Sequence, residues 1–259
     1  MLAYERIGSG PPLVLLHGVG HRRQAWYPVV DALAPQRELI LVDLPGHGES
    51  DPFEPAGRPV VEALRDELVA FLDAQGLDRP HIAGNSLGGR IALEAGAIGL
   101  ARSVTALSPA GFWRSAAAFG YTKALFRTVE ALGRRLAPQA PRLAKSKTGR
   151  ALMFGWITSH PANIEPDRAL GDILAFNRAI PALDTLLRAA TPFTGQVLAG
   201  VPVTIGWGSR DLVLPPYQAK VARSALPQAS HVTLLGCGHV PMSDDPSRVA
   251  EVLLRGSKN

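Results

Sequence analysis

Short apolar runs that end in glycine-rich turns recur along this chain of 259 residues. Each run has three to five residues, which is too short for a helix, and shows little alternation of polar and apolar side chains. Such strands are typical of a parallel sheet that is covered on both faces. The six runs are Leu13–Leu16, Leu39–Val42, His81–Ala83, Val104–Leu107, Val203–Trp207 and Val232–Leu235.

Helix-like segments lie between these runs and after the last one. They are Gln24–Ala34, Val60–Gln75, Leu87–Gly99, Pro216–Ala225 and Ser247–Leu254. Alternating strands and helices predict an α/β fold with an open, doubly wound, mostly parallel sheet. In such sheets, functional side chains lie just beyond the carboxyl ends of the strands. The polar turn residues of this chain fall at those positions.

The alternation is interrupted once, between Ser108 and Val203, where no comparable strand-like run occurs. Four helical segments occupy this stretch instead, and several prolines punctuate it. These segments are Arg114–Leu136, Gly149–Ser159, Asp167–Arg178 and Ala182–Ala190. We therefore predict an α/β core of residues 1–110 and 191–259. Residues 111–190, called the insertion below, are predicted to form a helical cap, or lid, inserted between two core strands.

Composition narrows the class of protein. Hydrophobic residues make up 46% of the chain and charged residues 19%, which excludes a disordered protein. The single cysteine, Cys237, excludes an intramolecular disulfide framework and an all-cysteine metal site. Glu5 and Arg6 interrupt any apolar leader, and no apolar run approaches the length of a membrane span. A cytoplasmic protein is therefore expected.

The positive charge is concentrated in the insertion. The chain has 27 basic and 22 acidic residues, a net charge of +5. Residues 111–150 hold nine basic residues and one acidic residue, a charge of +8, which leaves −3 for the remainder. A solvated helical face is the favoured interpretation. Contact with an anionic membrane, or with a phosphate-bearing acyl donor such as a coenzyme A thioester, is the alternative. No nucleic-acid partner is expected, because no zinc-finger or RNA-binding signature is present.

A Gly-x-Ser-x-Gly motif spans Gly84 to Gly88, between a predicted strand and a predicted helix. The glycines permit a tight turn that exposes the hydroxyl of Ser86 above the sheet. The N-terminus of the following helix, near Leu87, would favour a developing oxyanion. The motif alone is weak evidence, since an ordinary strand-to-helix turn can contain the same residues.

Two further residues strengthen this interpretation. A serine hydroxyl needs a base, and the base needs an acid that fixes its tautomer. His239 follows the last predicted strand, and Asp211 follows the strand before it. The order Ser86, Asp211, His239 along the chain, each at a strand end, predicts a nucleophile–acid–base triad.

Two backbone N–H groups are predicted to bind the oxyanion. Leu87 follows the nucleophile, and Val19 lies in the turn after an early strand, so their amides are expected to form the oxyanion hole. His17 is expected to shape that turn, and His47 is expected to be structural. Asp244 and Asp245 are expected to begin the helix near Pro246.

The pattern as a whole resembles the α/β-hydrolase family, specifically its capped branch that acts on small molecules, and the resemblance covers nearly the full chain. It rests on His17-Gly18, Asp43-Leu44-Pro45-Gly46-His47-Gly48-Glu49-Ser50, Gly84-Asn85-Ser86-Leu87-Gly88-Gly89, Asp211, and Gly238-His239 with Pro241. The resemblance implies that Ser86 is the nucleophile, His239 the base and Asp211 the orienting acid. It implies that Val19 and Leu87 supply the oxyanion N–H groups.

Ser86 lies in the sharp strand-to-helix turn that is called the nucleophile elbow in this family, and its identity narrows the range of expected reactions. Haloalkane dehalogenases and epoxide hydrolases of this fold carry an aspartate there, whereas Ser86 favours attack on an ester or related acyl group. We therefore expect an esterase that cleaves a small, largely apolar substrate through an acyl-enzyme. The haloperoxidase-like branch has a similar continuation after the histidine, here Val240 and Pro241.

Two alternatives remain open. The pair Asn85-Ser86 resembles the elbow of meta-cleavage-product hydrolases, which break a carbon–carbon bond. Those enzymes typically carry a tryptophan after the histidine, where Val240 stands here, and a lid arginine, for which Arg178 is the candidate. A non-enzymatic binding module on the same fold is the second alternative, and the intact triad argues against it. No cofactor is implied, and no residues with metal-ligand spacing are found.

Overall fold

Seven strands form one sheet in the computed structural model, which describes residues 1–258. In chain order the strands are β1 (Tyr4–Ile7), β2 (Pro12–Leu16), β3 (Glu38–Val42), β4 (His81–Asn85), β5 (Ser103–Leu107), β6 (Val203–Gly208) and β7 (Ser230–Leu234). The spatial order is β1-β3-β2-β4-β5-β6-β7, and every neighbouring pair is parallel except β1 with β3. The six predicted runs coincide with β2 to β7 to within two residues at either end, so the predicted α/β fold is confirmed.

Helices connect and cover these strands. They are α1 (Tyr27–Leu33), α2 (Val60–Ala74), α3 (Leu87–Ala97), α4 (Ala116–Leu136), α5 (Ala140–Lys145), α6 (Lys147–Phe154), α7 (Pro166–Arg178), α8 (Ile180–Ala189), α9 (Tyr217–Ala225) and α10 (Pro246–Gly256). Helix α1 packs against α10, and α2 packs against α3. Within residues 1–258, no helix has both the length and the hydropathy that a membrane span requires.

The two faces of the sheet are covered by different helices. A Cβ placed on Gly96 of α3 would lie 2.9 Å from the Val104 side chain. A Cβ on Gly256 of α10 would lie 2.2 Å from the hydroxyl oxygen of Thr105. Val104 and Thr105 are consecutive on β5, so their side chains point to opposite faces. Helices α3 and α10 therefore sandwich the sheet, which explains why every residue of β4 and β5 is buried.

The connections of β2 create the crevice for a site. In sequence the chain runs from β2 to β3 on one side, whereas β4 lies on the other side of β2. This reversal of direction separates the two connecting loops and leaves an opening at the carboxyl ends of β2 and β4. Leu16 on β2 is paired with Gly84 on β4. The turns that begin at His17 and at Ser86 therefore lie side by side.

The insertion folds as helices α4 to α8, and no strand lies between β5 and β6 in the part of the chain that is described. Of the nine basic residues between positions 111 and 150, seven are exposed. They are Arg114, Arg127, Arg134, Arg135, Arg142, Lys145 and Lys147. Arg150, in contrast, is buried and donates to the carbonyl oxygens of Ala144, Lys145 and Ala162.

Candidate active site

Ser86 occupies a sharp turn between β4 and α3. Its backbone has φ +56° and ψ −113°, a region that costs a residue with a side chain on the order of 1–3 kcal/mol. Backbone hydrogen bonds hold the turn: the Ser86 N–H donates to Leu107 O at 2.9 Å, and the Ala110 N–H donates to Ser86 O at 3.0 Å. The surrounding structure therefore maintains a conformation that the serine alone would avoid.

Glycines make this turn possible. A Cβ on Gly84 would lie 2.1 Å from the carbonyl carbon of Gly88, and a Cβ on Gly88 would lie 2.1 Å from Leu16 O. These are backbone atoms that cannot move aside, so any side chain at either position would separate α3 from the sheet. The two glycines of the motif are thus required for close packing of strand against helix.

His239 and Asp211 are joined by a hydrogen bond. The Nδ1 of His239 lies 2.8 Å from Oδ2 of Asp211, and both side chains are buried. The other carboxylate oxygen of Asp211 accepts from the backbone N–H groups of Val213 and Leu214, at 2.9 and 2.8 Å. Because an ionised carboxylate can only accept, the hydrogen bond to Asp211 places the proton of the neutral His239 ring on Nδ1. The Nε2 of the imidazole is then free to accept a proton.

Ser86 and His239 line one cavity, so the structure brings the predicted nucleophile and base to the same space. Asn85, which precedes Ser86 in the chain, bonds the backbone of His239. Its side-chain Nδ2 donates to His239 O at 2.9 Å and to Leu107 O at 3.1 Å. Sequence reasoning noted Asn85 only as part of the elbow pattern. Its contact with a residue 154 positions away could not be found without the fold.

The turn after β2 lies against the elbow. A Cβ on Gly18 would lie 3.1 Å from the Cβ of Ser86, which brings the backbone of Val19 close to the serine. The Gly88 N–H donates to His17 O at 3.1 Å. Within residues 1–258, the backbone N–H groups of Val19 and Leu87 have no hydrogen-bond acceptor. Neither predicted donor is therefore engaged by another described part of the protein.

His17 stabilises this turn as a neutral ring. Its Nε2 accepts from the Leu44 N–H at 3.0 Å, so Nδ1 carries the proton and donates to Gly18 O at 2.8 Å. Burial lowers the pKa of His17 to about 4. His47 is also buried, with a pKa lowered to about 3 by burial, and bonds to Pro45 O. Both histidines have the structural contacts expected from the sequence.

A buried ion pair lies beneath the same turn. Asp43 is inaccessible to solvent and accepts from the backbone N–H of Arg23 at 2.6 Å and from that of Glu49 at 3.0 Å. The guanidinium of Arg23 also bonds Asp43, and it pairs with Glu5 and Glu49 at 2.6 and 2.7 Å. These bonds tie the turns after β2 and β3 together and so support the loop that carries Val19.

Asp244 does not have the contact that the sequence predicted. Asp245 alone caps α10, by accepting from the Arg248 N–H at 2.9 Å. Asp244 instead accepts from the backbone N–H groups of Gly238 and His160, both at 2.7 Å. It also accepts from the Thr158 hydroxyl and the Ser159 N–H. Asp244 therefore fastens the insertion to the loop that carries His239.

Two spaces in the protein share Ser86 as a wall residue. The first, called the His239 arm below, has walls that include His21, Gly133, Phe176, Asn177 and His239. The second, called the apolar arm, has walls that include Val60, Leu64, Trp113, Leu186 and Leu187. Val19, Ser86 and Phe126 belong to both.

The described residues hold no group of three or more His, Cys, Asp or Glu side chains that could bind a metal ion. Cys237 is buried, and burial together with Asp244 and Asp245 raises the pKa of its thiol to about 11. A thiol with that pKa is protonated at neutral pH, so it is a poor nucleophile. Arg178, the candidate lid arginine, is exposed and is not part of the described walls of either arm.

Comparison with known proteins identifies the family. A model of the alpha/beta hydrolase family matches residues 13–252, which is most of the chain. The chain therefore belongs to the alpha/beta hydrolase family and is a hydrolase.

Individual relatives differ in the activities that their names state. The chain is 33% identical over 204 residues to epoxide hydrolase EphH of Mycobacterium tuberculosis, covering 73% of this chain and 91% of that protein. It is 28% identical over 247 residues to Lipase 3 of a Moraxella species, covering 90% and 73%. Among solved structures, a bacterial membrane phospholipase A is 26% identical with a TM-score of 0.73, covering 98% and 82%.

Proposed function

We propose that this protein hydrolyses carboxylic esters of small, largely apolar substrates through an acyl-enzyme on Ser86. The observation that carries the proposal is the 2.8 Å hydrogen bond between Asp211 and His239, with His239 and Ser86 in the walls of the same arm. The arrangement supports a triad in which His239 removes the proton of Ser86. Asp211 holds the ring in the required tautomer and stabilises the imidazolium.

The reaction would proceed in two halves. Ser86 attacks the ester carbonyl while His239 accepts the hydroxyl proton, and His239 then donates that proton to the leaving alcohol. A water molecule, activated by the same histidine, hydrolyses the acyl-enzyme and restores the serine. The negative oxygen formed in each half faces the unpaired N–H groups of Val19 and Leu87. The N-terminus of α3 adds its dipole there.

The two arms suggest where each part of the ester binds. His239 must reach the leaving oxygen, and it lines the His239 arm, whereas the described walls of the apolar arm do not include it. The alcohol part is therefore assigned to the His239 arm and the acyl chain to the apolar arm. Arg90 also lines the apolar arm, but its guanidinium already pairs with Glu94 at 2.7 Å and with Thr191 O at 2.8 Å.

The insertion acts, in this proposal, as the lid that the sequence predicted. Its residues supply much of the wall of both arms, including Phe126, Met153 and Leu186. An apolar lid excludes water, and low polarity strengthens the electrostatic stabilisation of the oxyanion. Asp244 supports this role because it fastens the insertion beside the loop of His239 at 2.7 Å.

The relatives that are named as a lipase and a phospholipase favour acyl chemistry. Epoxide hydrolases of this fold use an aspartate as nucleophile, whereas this chain has Ser86 at that position. The carbon–carbon hydrolase alternative predicts a lid arginine for a substrate carboxylate. Arg178 is exposed, so no observation favours that alternative over ester hydrolysis.

A series of p-nitrophenyl esters tests the proposal. We expect turnover, with kcat/KM rising by about fourfold per added methylene until the apolar arm is filled, since each buried methylene is worth ~0.8 kcal/mol. Leu187→Trp, in the wall of the apolar arm, should shorten the preferred chain. Leu174→Trp, at an exposed position of the insertion, is the matched control and should leave the preference unchanged.

No turnover by folded protein at any chain length would contradict ester hydrolysis. Ring-fission acids would then be the next substrates, with loss of their dienol absorbance as the signal.

A further inference from the structure

Helix α4 contains a glycine where a helix does not favour one. Gly133 lies near the end of this 21-residue helix, is buried and lines the His239 arm. Glycine inside a helix is less favourable than alanine. A second glycine of α4, Gly120, has no atom within 4 Å of the position that a Cβ would take, and it lies outside the described walls of both arms. The two positions therefore compare a glycine that lines the arm with a glycine of the same helix that does not.

Gly133 leaves room in front of an unsatisfied oxygen. A Cβ at position 133 would lie 3.5 Å from Oδ1 of Asn177 and 3.8 Å from the ring of Phe176. Asn177 donates through Nδ2 to Ile173 O at 3.1 Å. Because a carbonyl can only accept, this bond fixes the orientation of the amide and turns Oδ1 away from it. That Oδ1 is buried and has no partner within residues 1–258.

A second polar atom in the same arm is unsatisfied. The Nδ1 of His21 is buried without a hydrogen-bond partner among the described residues. Burial lowers the pKa of His21, and the cationic side chains of Arg168 and Arg22 lower it further, although Asp172 opposes them. His21 is therefore a neutral ring, able to give or accept one hydrogen bond. A buried polar group without a partner is costly unless a ligand supplies one.

We propose that the region between Gly133, Asn177 and His21 is a recognition subsite for an uncharged hydrogen-bond donor, a hydroxyl or amide N–H, on the alcohol part of the ester. This inference rests on the proposed function and names the substrate class within it. The Oδ1 of Asn177 selects a donor, because it can only accept.

The charges around the subsite favour an uncharged group. Asp172 is the acidic residue in the wall of the arm, and Arg22 already pairs with it at 2.8 Å and Arg168 at 4.0 Å. An ammonium group would find no unpaired carboxylate in the described walls of the arm. A carboxylate would face the lone pairs of Asn177 Oδ1. An uncharged donor satisfies Asn177 without either disadvantage, and a hydroxyl can also bond His21.

The test compares esters that differ only in a terminal hydroxyl. The probes are ω-hydroxyalkyl butyrates with two, four and six carbons between the oxygens, each paired with the alkyl butyrate of equal length. The measurement is the ratio of kcat/KM for the hydroxyalkyl ester to that for the alkyl ester. In the wild type, at least one length should give a ratio of about ten or more, since a site with a buried unpaired acceptor rejects the analogue that lacks the donor.

Three variants test whether the proposed subsite causes this ratio of kcat/KM values. Asn177→Leu removes the acceptor at similar size, and the ratio should fall toward one. Gly133→Ala places a methyl over Asn177 Oδ1, so the ratio should fall by a similar factor while the melting temperature stays the same or rises. Gly120→Ala adds the same methyl to the same helix in open space and should leave the ratio unchanged.

A wild-type ratio near one at every length overturns the subsite, as does a high ratio that survives both Asn177→Leu and Gly133→Ala. A fall in Gly120→Ala equal to that in Gly133→Ala would also overturn it, because the effect would then belong to the helix as a whole. Failure of the proposed function gives a different result, since neither member of any ester pair would then be hydrolysed.

Discussion

Replacing Ser86 with alanine is expected to lower kcat/KM for a p-nitrophenyl ester by about 10³-fold or more, equivalent to ~4 kcal/mol of lost transition-state stabilisation. The hydroxyl is the atom that would form the acyl-enzyme, and the thiol of Cys237 cannot replace it because its pKa is raised to about 11. The measurement is steady-state hydrolysis by wild type and variant in parallel, at the preferred acyl chain length.

Ser108 provides a matched control for this substitution. It is also a buried serine that follows a central strand, and its backbone φ of +41° is likewise positive. Ser108 lies outside the described walls of both arms, so Ser108→Ala should keep ester turnover within a few-fold of wild type. Turnover by Ser86→Ala at a rate close to that of Ser108→Ala would rule out Ser86 as the nucleophile.

Replacing Asp211 with asparagine should have an effect of similar or larger size, about 10⁴-fold in kcat. The Oδ1 position accepts two backbone N–H groups, from Val213 and Leu214, so the amide oxygen of an asparagine would take that place. Its NH₂ group would then face Nδ1 of His239 and donate to it. The ring would have to carry its proton on Nε2, where it could no longer accept the proton of Ser86.

The shape of the site should survive this change, because asparagine has the size of aspartate. The variant is therefore expected to bind ester with little change in KM while kcat falls. Asp184→Asn is the control for the loss of one negative charge, because Asp184 lies on α8 and outside the described walls of both arms. A kcat for Asp211→Asn within tenfold of the Asp184→Asn value would contradict the orienting role of Asp211.

Much of the core fold could be predicted because its strands are continuous apolar runs. The exception is β1, which was not predicted. Its residues Tyr4–Ile7 alternate between exposed and half-buried positions, since it pairs antiparallel with β3 at the edge of the sheet. A four-residue edge strand that lies half in solvent carries no apolar run, so its sequence resembles a loop.

The helices of the insertion were predicted less completely. The segment Arg114–Leu136 corresponds to α4, but α5 was missed because Pro138 and Pro141 mark a break. Pro141 lies in the first turn of α5, where proline is tolerated because that N–H has no helical partner. The predicted helix Gly149–Ser159 ends early, at Phe154, because the backbone of Ser159 and His160 bonds Asp244 instead.

The candidate site was predictable where chemistry and chain order coincide. Ser86, Asp211 and His239 each follow a strand, and parallel strands bring those ends to one edge of the sheet. The supporting contacts could not be predicted in this way. Asn85 donates to the backbone oxygen of His239, 154 positions away, and Asp244 accepts from the backbone N–H of His160, 84 positions away. Every residue carries these backbone groups, so the residue types in the sequence do not reveal such contacts.

Labelling with a p-nitrophenyl alkylphosphonate tests the central claim, an activated nucleophile at Ser86, most directly. Phosphorus takes the place of the acyl carbon, and the tetrahedral adduct cannot be hydrolysed quickly. We expect intact-protein mass spectrometry to show one adduct per chain, located on the peptide that contains Ser86 and absent from both Ser86→Ala and Asp211→Asn. Folded wild-type protein that remains unlabelled, or that carries its adduct at another residue, would contradict the assignment.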